Sequence, residues 1–272
     1  MVTLIGLLSI ALYLIATLLL GVRVSSHQPA GGPVHSGLLM TTTVLAVLLH
    51  GALLYHSIPT DQGLSLGLFN TSSLVAWVIV LFVLIAALSK PVDNLGLFVL
   101  PLAAITVLMT LIYPSSHAPL DETGFGVETH IIFSVLATSV LTIAAFQSLL
   151  LAYQERHLRE KRPGKILRSL PPMQVQETWL FQMIRLGFFL LSLSLVSGLM
   201  FLKDMFAQHL VHKTVLSIFA WIVFAVLLWG RWRYGWRGRT AIRWSLAGFI
   251  TLVLAYFGSK LVLENILGRH WY

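Results

Sequence analysis

A chain of 272 residues in which 10% are charged and 57% hydrophobic, with a mean hydropathy of +0.85, carries more apolar surface than a soluble domain can hide. The class it leaves is the polytopic α-helical membrane protein. The formal charge of +8 lies in two blocks between apolar spans, a topogenic pattern that also suits anionic lipid headgroups and excludes nucleic acid as the expected partner. There is no cysteine, so disulfides, thiol redox chemistry and thiolate metal ligation are excluded.

Crossing a bilayer takes about 20 mostly apolar residues. Eight segments qualify: 2–22, 37–57, 70–89, 95–113, 129–153, 178–202, 213–230 and 243–265. The expected fold is therefore all-α, a single integral membrane domain over 1–272 built as a bundle of about eight transmembrane helices. The first segment lacks a basic leading region and runs to Gly21, which predicts a retained span rather than a signal peptide. Pro29 to Pro33 and Pro171-Pro172 punctuate two links, and Pro101 predicts a bend early in the fourth span. Gly187, Ser192, Ser194, Ser197 and Gly198 give the sixth span small residues for close packing. Gly51, beside His50, would admit another backbone or a flat ligand. The tryptophans Trp77, Trp179, Trp221, Trp229, Trp232, Trp236, Trp244 and Trp271 include many positions near predicted interfaces, as in an ordinary aromatic belt.

The positive charges predict the orientation. Arg156, Arg159, Lys161, Arg162, Lys165 and Arg168 follow the fifth span, and Arg231, Arg233, Arg237, Arg239 and Arg243 follow the seventh. The positive-inside rule makes that side cytoplasmic and puts both termini outside, on the periplasmic face of a bacterial inner membrane. On this topology His50, His56, His117, His130, His209, His212 and His270 gather at or near the outer face, while His27, His35 and His157 are cytoplasmic. Imidazole is a neutral metal ligand that can hold a haem iron. His50, inside the second span, reads equally as a ligand or as a hydrogen-bonding group between helices. His209 and His212 share a face if helical, and with Asp204 they form a weaker candidate for a divalent-metal site. Arg185 reads as a snorkelling residue, with a haem propionate or a phosphate as the alternative partner.

Several stretches then acquire a common meaning. Glu128-Thr129-His130-Ile131-Ile132-Phe133-Ser134 opens the fifth span with a histidine. Leu170-Pro171-Pro172 is followed by Phe181 to Phe188 with Arg185 and Gly187 inside it. Lys213-Thr214 leads to Ala220-Trp221, Arg231 and Trp236-Arg237-Gly238-Arg239, and the chain closes on Gly268-Arg269-His270-Trp271-Tyr272. In this order, over about residues 60–272, the chain resembles the haem-handling cytochrome c assembly proteins of the CcsA and CcmC kind, most of all their shorter YpjD/HemX-like branch. The resemblance implies haem as cofactor with His130 and His270 as its outer axial ligands, and to these the expected site adds His50 as an inner ligand and His209 or His212 as substitutes. It also implies a tryptophan-rich run before Lys213, where this chain has Phe206 to His212 without a tryptophan. The expected function is a haem-binding or haem-trafficking accessory protein of cytochrome c biogenesis, not an enzyme. The alternative is a haem-free membrane subunit that stabilises or regulates another membrane protein, such as a transporter. The expected partners are the lipid bilayer and a membrane protein or biogenesis component.

Overall fold

The computed structural model describes residues 2–25, 33–60, 63–88, 93–113, 125–160, 170–201 and 211–258, with backbone alone at 25, 33–36, 93, 211, 212, 257 and 258. Among these residues the chain is helical apart from short turns and a hairpin of two strands, two residues each. Eight α-helices follow in order: α1 Val2–Ser25, α2 Pro33–Ser57, α3 Leu68–Ala87, α4 Gly96–Ile112, α5 Phe125–Arg159, α6 Met173–Phe201, α7 Val211–Tyr234 and α8 Gly238–Val253. Each overlaps one of the eight expected spans, α8 least, since it shares only residues 243–253 with the expected 243–265. By length and composition six are able to cross a membrane, and α4 is a shorter apolar helix. At 1.5 Å per residue, the 35 residues of α5 reach about 52 Å, well beyond a hydrocarbon core of about 30 Å. The chain divides into two compact units, one of 1–121 with 156–172 and one of 122–155 with 173–272.

In the first unit α1 turns Gly6, Ser9, Tyr13, Ala16 and Leu20 inward, a run spaced three or four residues apart. Leu7, Leu14, Leu18 and Val22 on its other side are exposed, as suits a helix facing lipid. Lipid is as apolar as leucine, so close packing and hydrogen bonds hold such helices together. Both are visible here. A side chain at Gly6 would meet Leu111 of α4, and one at Gly96 would meet Leu20 of α1. Ser9 Oγ donates to the Ala46 carbonyl of α2 at 3.1 Å. Helix α4 runs unbroken through Pro101, preceded by a 3₁₀ turn at Asp93–Leu95. The hairpin between α2 and α3 pairs Pro59 with Leu64, and Gly63 supplies the left-handed φ of 123° that its turn requires.

The second unit is built round α5. Its most apolar window is 72% buried, against 28% to 33% for the other membrane-length helices. Leu141 and Ala144 of α5, Leu180 and Ile184 of α6, Phe224 and Leu227 of α7, and Ile242 of α8 form one buried cluster. Gly187 brings α6 against Leu141, whose Cδ2 would lie 2.6 Å from an added Cβ. Buried amides join the helices lower down: Gln147 donates to Gln176 at 3.0 Å, and Gln176 to Gln154 at 2.7 Å. Ser148 of α5 donates to Ser245 of α8 at 3.0 Å.

The turn from α7 to α8 is closed by a glycine cap. Gly235 (φ 66°) and Gly238 (φ 51°) are both left-handed. The Gly235 and Trp236 N–H groups donate back to the carbonyls of Arg231 and Gly230, which satisfies the last carbonyls of α7. Glu177 of α6 accepts from the Gly238 N–H at 2.9 Å and lies 3.8 Å from Arg231.

Candidate functional site

His50 is fully buried in the first unit, and both of its ring nitrogens have partners. Nδ1 lies 3.1 Å from the Tyr13 hydroxyl and Nε2 lies 2.8 Å from Ser73 Oγ. A neutral imidazole has one donor and one acceptor nitrogen, and a hydroxyl can answer either. The residue therefore ties α1, α2 and α3 together with no lone pair left over. Of the two roles expected for it, this geometry is that of a hydrogen-bonding group between helices. The space beside it at Gly51 is taken by the Trp77 ring, whose nearest atom would lie 3.2 Å from an added Cβ. Trp77 Nε1 donates to the Val47 carbonyl at 2.8 Å. The flat group admitted by Gly51 is thus an indole of the chain itself.

His130, in the second turn of α5, is arranged differently. Its Nδ1 lies 2.8 Å from the Ser194 carbonyl of α6. A carbonyl only accepts, so the hydrogen is on Nδ1 and, in the neutral ring, Nε2 keeps its lone pair. The nearest group to Nε2 is Ser134 Oγ, at a long 3.4 Å. That hydroxyl has better partners, donating to the His130 carbonyl at 2.7 Å and lying 2.7 Å from Ser194 Oγ. Ser197 Oγ donates to the same Ser194 carbonyl at 3.0 Å. The i+4 spacing of His130 and Ser134 puts both on one face of α5, and α6 meets that face with Ser194 and Ser197.

His130 also lines a cavity of about 270 Å³. From α5 come His130, Ser134 and Thr138, and from α6 Leu191, Ser194 and Leu195. The first turns of α7 add Lys213, Thr214 and Ser217. The fourth wall is Leu252 at the end of α8 with Ala255 and Tyr256. Those last two lie in a π-helical turn, Leu254–Gly258, a local widening that recurs at functional sites. The wall is mixed, with apolar side chains, hydroxyls, one imidazole and one ammonium, and no carboxylate.

The remaining expectations divide simply. His209, His270, His117 and Asp204 lie outside the described residues, as does the side chain of His212. The proposed His209–His212–Asp204 metal site therefore lies there too. Among the described residues no three histidines or carboxylates cluster as a metal site would require. His56 is exposed and sits edge-on to Tyr55. Arg185 is exposed and its Nε donates to the Phe181 carbonyl of its own helix at 3.3 Å. Trp221 stacks on Phe188 and donates to Ser192 Oγ at 2.8 Å, so it joins two helices, whereas Trp229 and Trp232 are exposed as an interfacial belt predicts. Residue-by-residue reading missed Ser134, Lys213 and Tyr256 as cavity walls. Only the i+4 hydroxyl after His130 carried a local signal.

Fold and site together define a multi-pass helical membrane protein with a histidine-lined cavity at one end of its second unit. Residues 38–267 match the family model described as "Cytochrome C assembly protein", and the chain belongs to that family. It is 35% identical over 231 residues to the inner membrane protein YpjD of Escherichia coli, covering 83% of this chain and 86% of that one. It is 22% identical to the protein HemX of Brevibacillus brevis over 196 residues, 70% of this chain and 72% of the other. To the cytochrome c biogenesis protein CcsA of Mesostigma viride it is 27% identical over 94 residues, 34% of this chain and 31% of the other. These relatives place it in the YpjD/HemX-like branch. No solved structure matches it.

Proposed function

We propose that this chain is an inner-membrane accessory protein that binds or passes on haem, with His130 as an axial ligand. The observation that carries the reading is the hydrogen bond from His130 Nδ1 to the Ser194 carbonyl. Histidines that ligate metals almost always donate the other ring N–H to a carbonyl or carboxylate, which fixes the tautomer and raises the basicity of the ligating nitrogen. His130 has this arrangement, an Nε2 lone pair met only by Ser134 Oγ at a long 3.4 Å, and a place on a cavity wall. His50 has neither the carbonyl partner nor the weakly engaged nitrogen.

Haem supplies an iron that takes one or two neutral imidazoles. The protein supplies the rest: an oriented His130, apolar contact from Leu191, Leu195 and Leu252, and hydroxyls that satisfy polar edges. A cavity of about 270 Å³ is at the lower limit for a small-molecule site, so it suits one edge of a macrocycle. His270 is the second ligand in this proposal, with His209 and His212 as substitutes. The assembly role draws on the family and on the printed name of CcsA, and the inner-membrane location on that of YpjD. The basic links face the cytoplasm and both termini lie outside, which puts the cavity at the periplasmic face.

The test is purification from cells supplied with haem. A Soret band that is lost in His130→Ala and weakened in His270→Ala is the expected result. No band, or a band untouched by either change, overturns the reading. One sequence feature favours a second reading, the haem-free accessory subunit: Phe206 to His212 lack the tryptophans that the family resemblance calls for. A stoichiometric membrane partner captured with the protein, and no haem with either, would favour it.

A further inference from the structure

Residues 229–245, the turn from α7 to α8 with its flanks, contain five arginines, four tryptophans, one tyrosine and no acid. The structure divides the arginines into two sets. Arg231 is tied inward: it lies 3.8 Å from Glu177, donates to the Trp236 carbonyl at 3.0 Å and covers the Phe181 ring. Arg239 is held by Glu155 at 2.9 Å. Arg233, Arg237 and Arg243 are exposed and meet no carboxylate among the described residues. The leading N–H of α8 is already taken by Glu177, so what the turn offers outward is side chains.

Between the arginines the rings form a continuous row. Trp229 meets Tyr234 edge-on with centroids 5.3 Å apart, Tyr234 stacks on Trp236 at 6.5 Å, and Trp236 packs on Trp244 at 5.6 Å. The row is fixed in place because Trp236 sits against Gly230, where any side chain would collide with it. Trp229 and Tyr234 are still 52% and 60% exposed, Trp232 is 82% exposed, and the Arg233 guanidinium lies 5.7 Å from the Tyr234 ring centroid. Exposed tryptophan and tyrosine rings of a membrane protein settle at the level of the lipid headgroups. That puts the three unpaired guanidiniums at the depth of the phosphates, which their planar forks match with two hydrogen bonds at once.

We propose that Arg233, Arg237 and Arg243, on this aromatic shelf, bind the headgroup of an anionic phospholipid, while Arg231 and Arg239 hold the turn that presents them. The site is separate from the His130 cavity and does not depend on the haem reading. Charge complementarity commits it to an anionic lipid. A zwitterionic headgroup brings a cation that three guanidiniums repel, and a free phosphate makes no use of the exposed rings. Each arginine near an anionic membrane surface is worth about fivefold in affinity.

The full-length protein in micelles carrying equal amounts of phosphatidylglycerol and phosphatidylcholine is read by native mass spectrometry for the lipids it retains. The native protein is expected to retain phosphatidylglycerol over phosphatidylcholine by about tenfold or more. Arg233→Gln, Arg237→Gln and Arg243→Gln together should remove the preference, and each alone should lower it about two- to fivefold. Arg156→Gln makes the same charge change in the other basic block, at an arginine paired with Glu160, and should leave the preference nearly intact. Equal retention of the two lipids by the native protein, which needs no variant, overturns the proposal. So does a preference that survives the triple change in a protein shown to be folded by circular dichroism. A loss as large in Arg156→Gln as in Arg233→Gln also overturns it, because the attraction is then diffuse. Displacement of the phosphatidylglycerol by millimolar inorganic phosphate would assign the arginines to a free anion and overturn the lipid assignment.

Discussion

His50 and His130 are the same side chain placed in apolar helices of the two units, and they end in opposite chemical states. In the first unit Tyr13 and Ser73 close both nitrogens of His50, so its polarity is spent on joining three helices. In the second unit Nδ1 of His130 is closed by a backbone carbonyl at 2.8 Å, while Nε2 has only Ser134 Oγ at a long 3.4 Å. The nitrogen left over belongs to a residue on a cavity wall. A histidine within a membrane span must be satisfied, but whether both nitrogens are tightly bonded or one is left with a long contact decides if it can do more than join helices. The neighbours decide it: two hydroxyls from two other helices in one case, a single carbonyl and an open space in the other.

This contrast can be broken first at the clamp. His50→Ala should cost about 2–4 kcal/mol, because it leaves a cavity and strands the Tyr13 and Ser73 hydroxyls, and Tyr13→Phe should cost about 1 kcal/mol. Thermal unfolding in detergent checks both, and a His50→Ala protein as stable as the native would deny the clamp. At the second unit, Gly187→Ala drives a methyl into Leu141 and should cost about 1–3 kcal/mol. Adding Leu141→Ala should recover part of that loss, and a double variant no better than the sum of the singles would show that the two residues do not share the contact. Glu177→Gln weakens the tie from α6 to the α7–α8 turn. A loss of about 1 kcal/mol is expected, with faster amide exchange at Gly238 as its local sign. The smallest effect is at the exposed pair of Arg239 and Glu155, 2.9 Å apart, where Arg239→Ala should cost no more than about 0.5 kcal/mol and less in high salt.

Six of the eight helices were legible because a bilayer-length apolar run is the strongest signal that a sequence carries. Their ends were less so: α5 extends six residues past the predicted 153, where Gln154, Glu155 and Arg156 form no apolar pattern. His130 stood out in the sequence by its family-like setting, but its hydrogen bonding did not. Ser194 is 64 residues away, and its carbonyl is a backbone group that no residue type announces. Likewise Tyr13 and Ser73 lie 37 and 23 residues from His50, and periodicity assigns faces to helices without assigning neighbours. The sixth-span serines were expected as small packing residues. Ser194 and Ser197 do more than that, because they hold a histidine and each other. Trp77 shows the same limit, since no local pattern announces that its indole fills the notch beside Gly51.

The most direct test of the account is one haem titration of three proteins, followed at the Soret band: native, His50→Ala and His130→Ala, each corrected for the folded fraction. The account predicts that His50→Ala binds haem with native affinity and spectrum per folded molecule, while His130→Ala gives no axial-histidine spectrum. Native-like binding by His130→Ala, or loss of binding in folded His50→Ala, would contradict it.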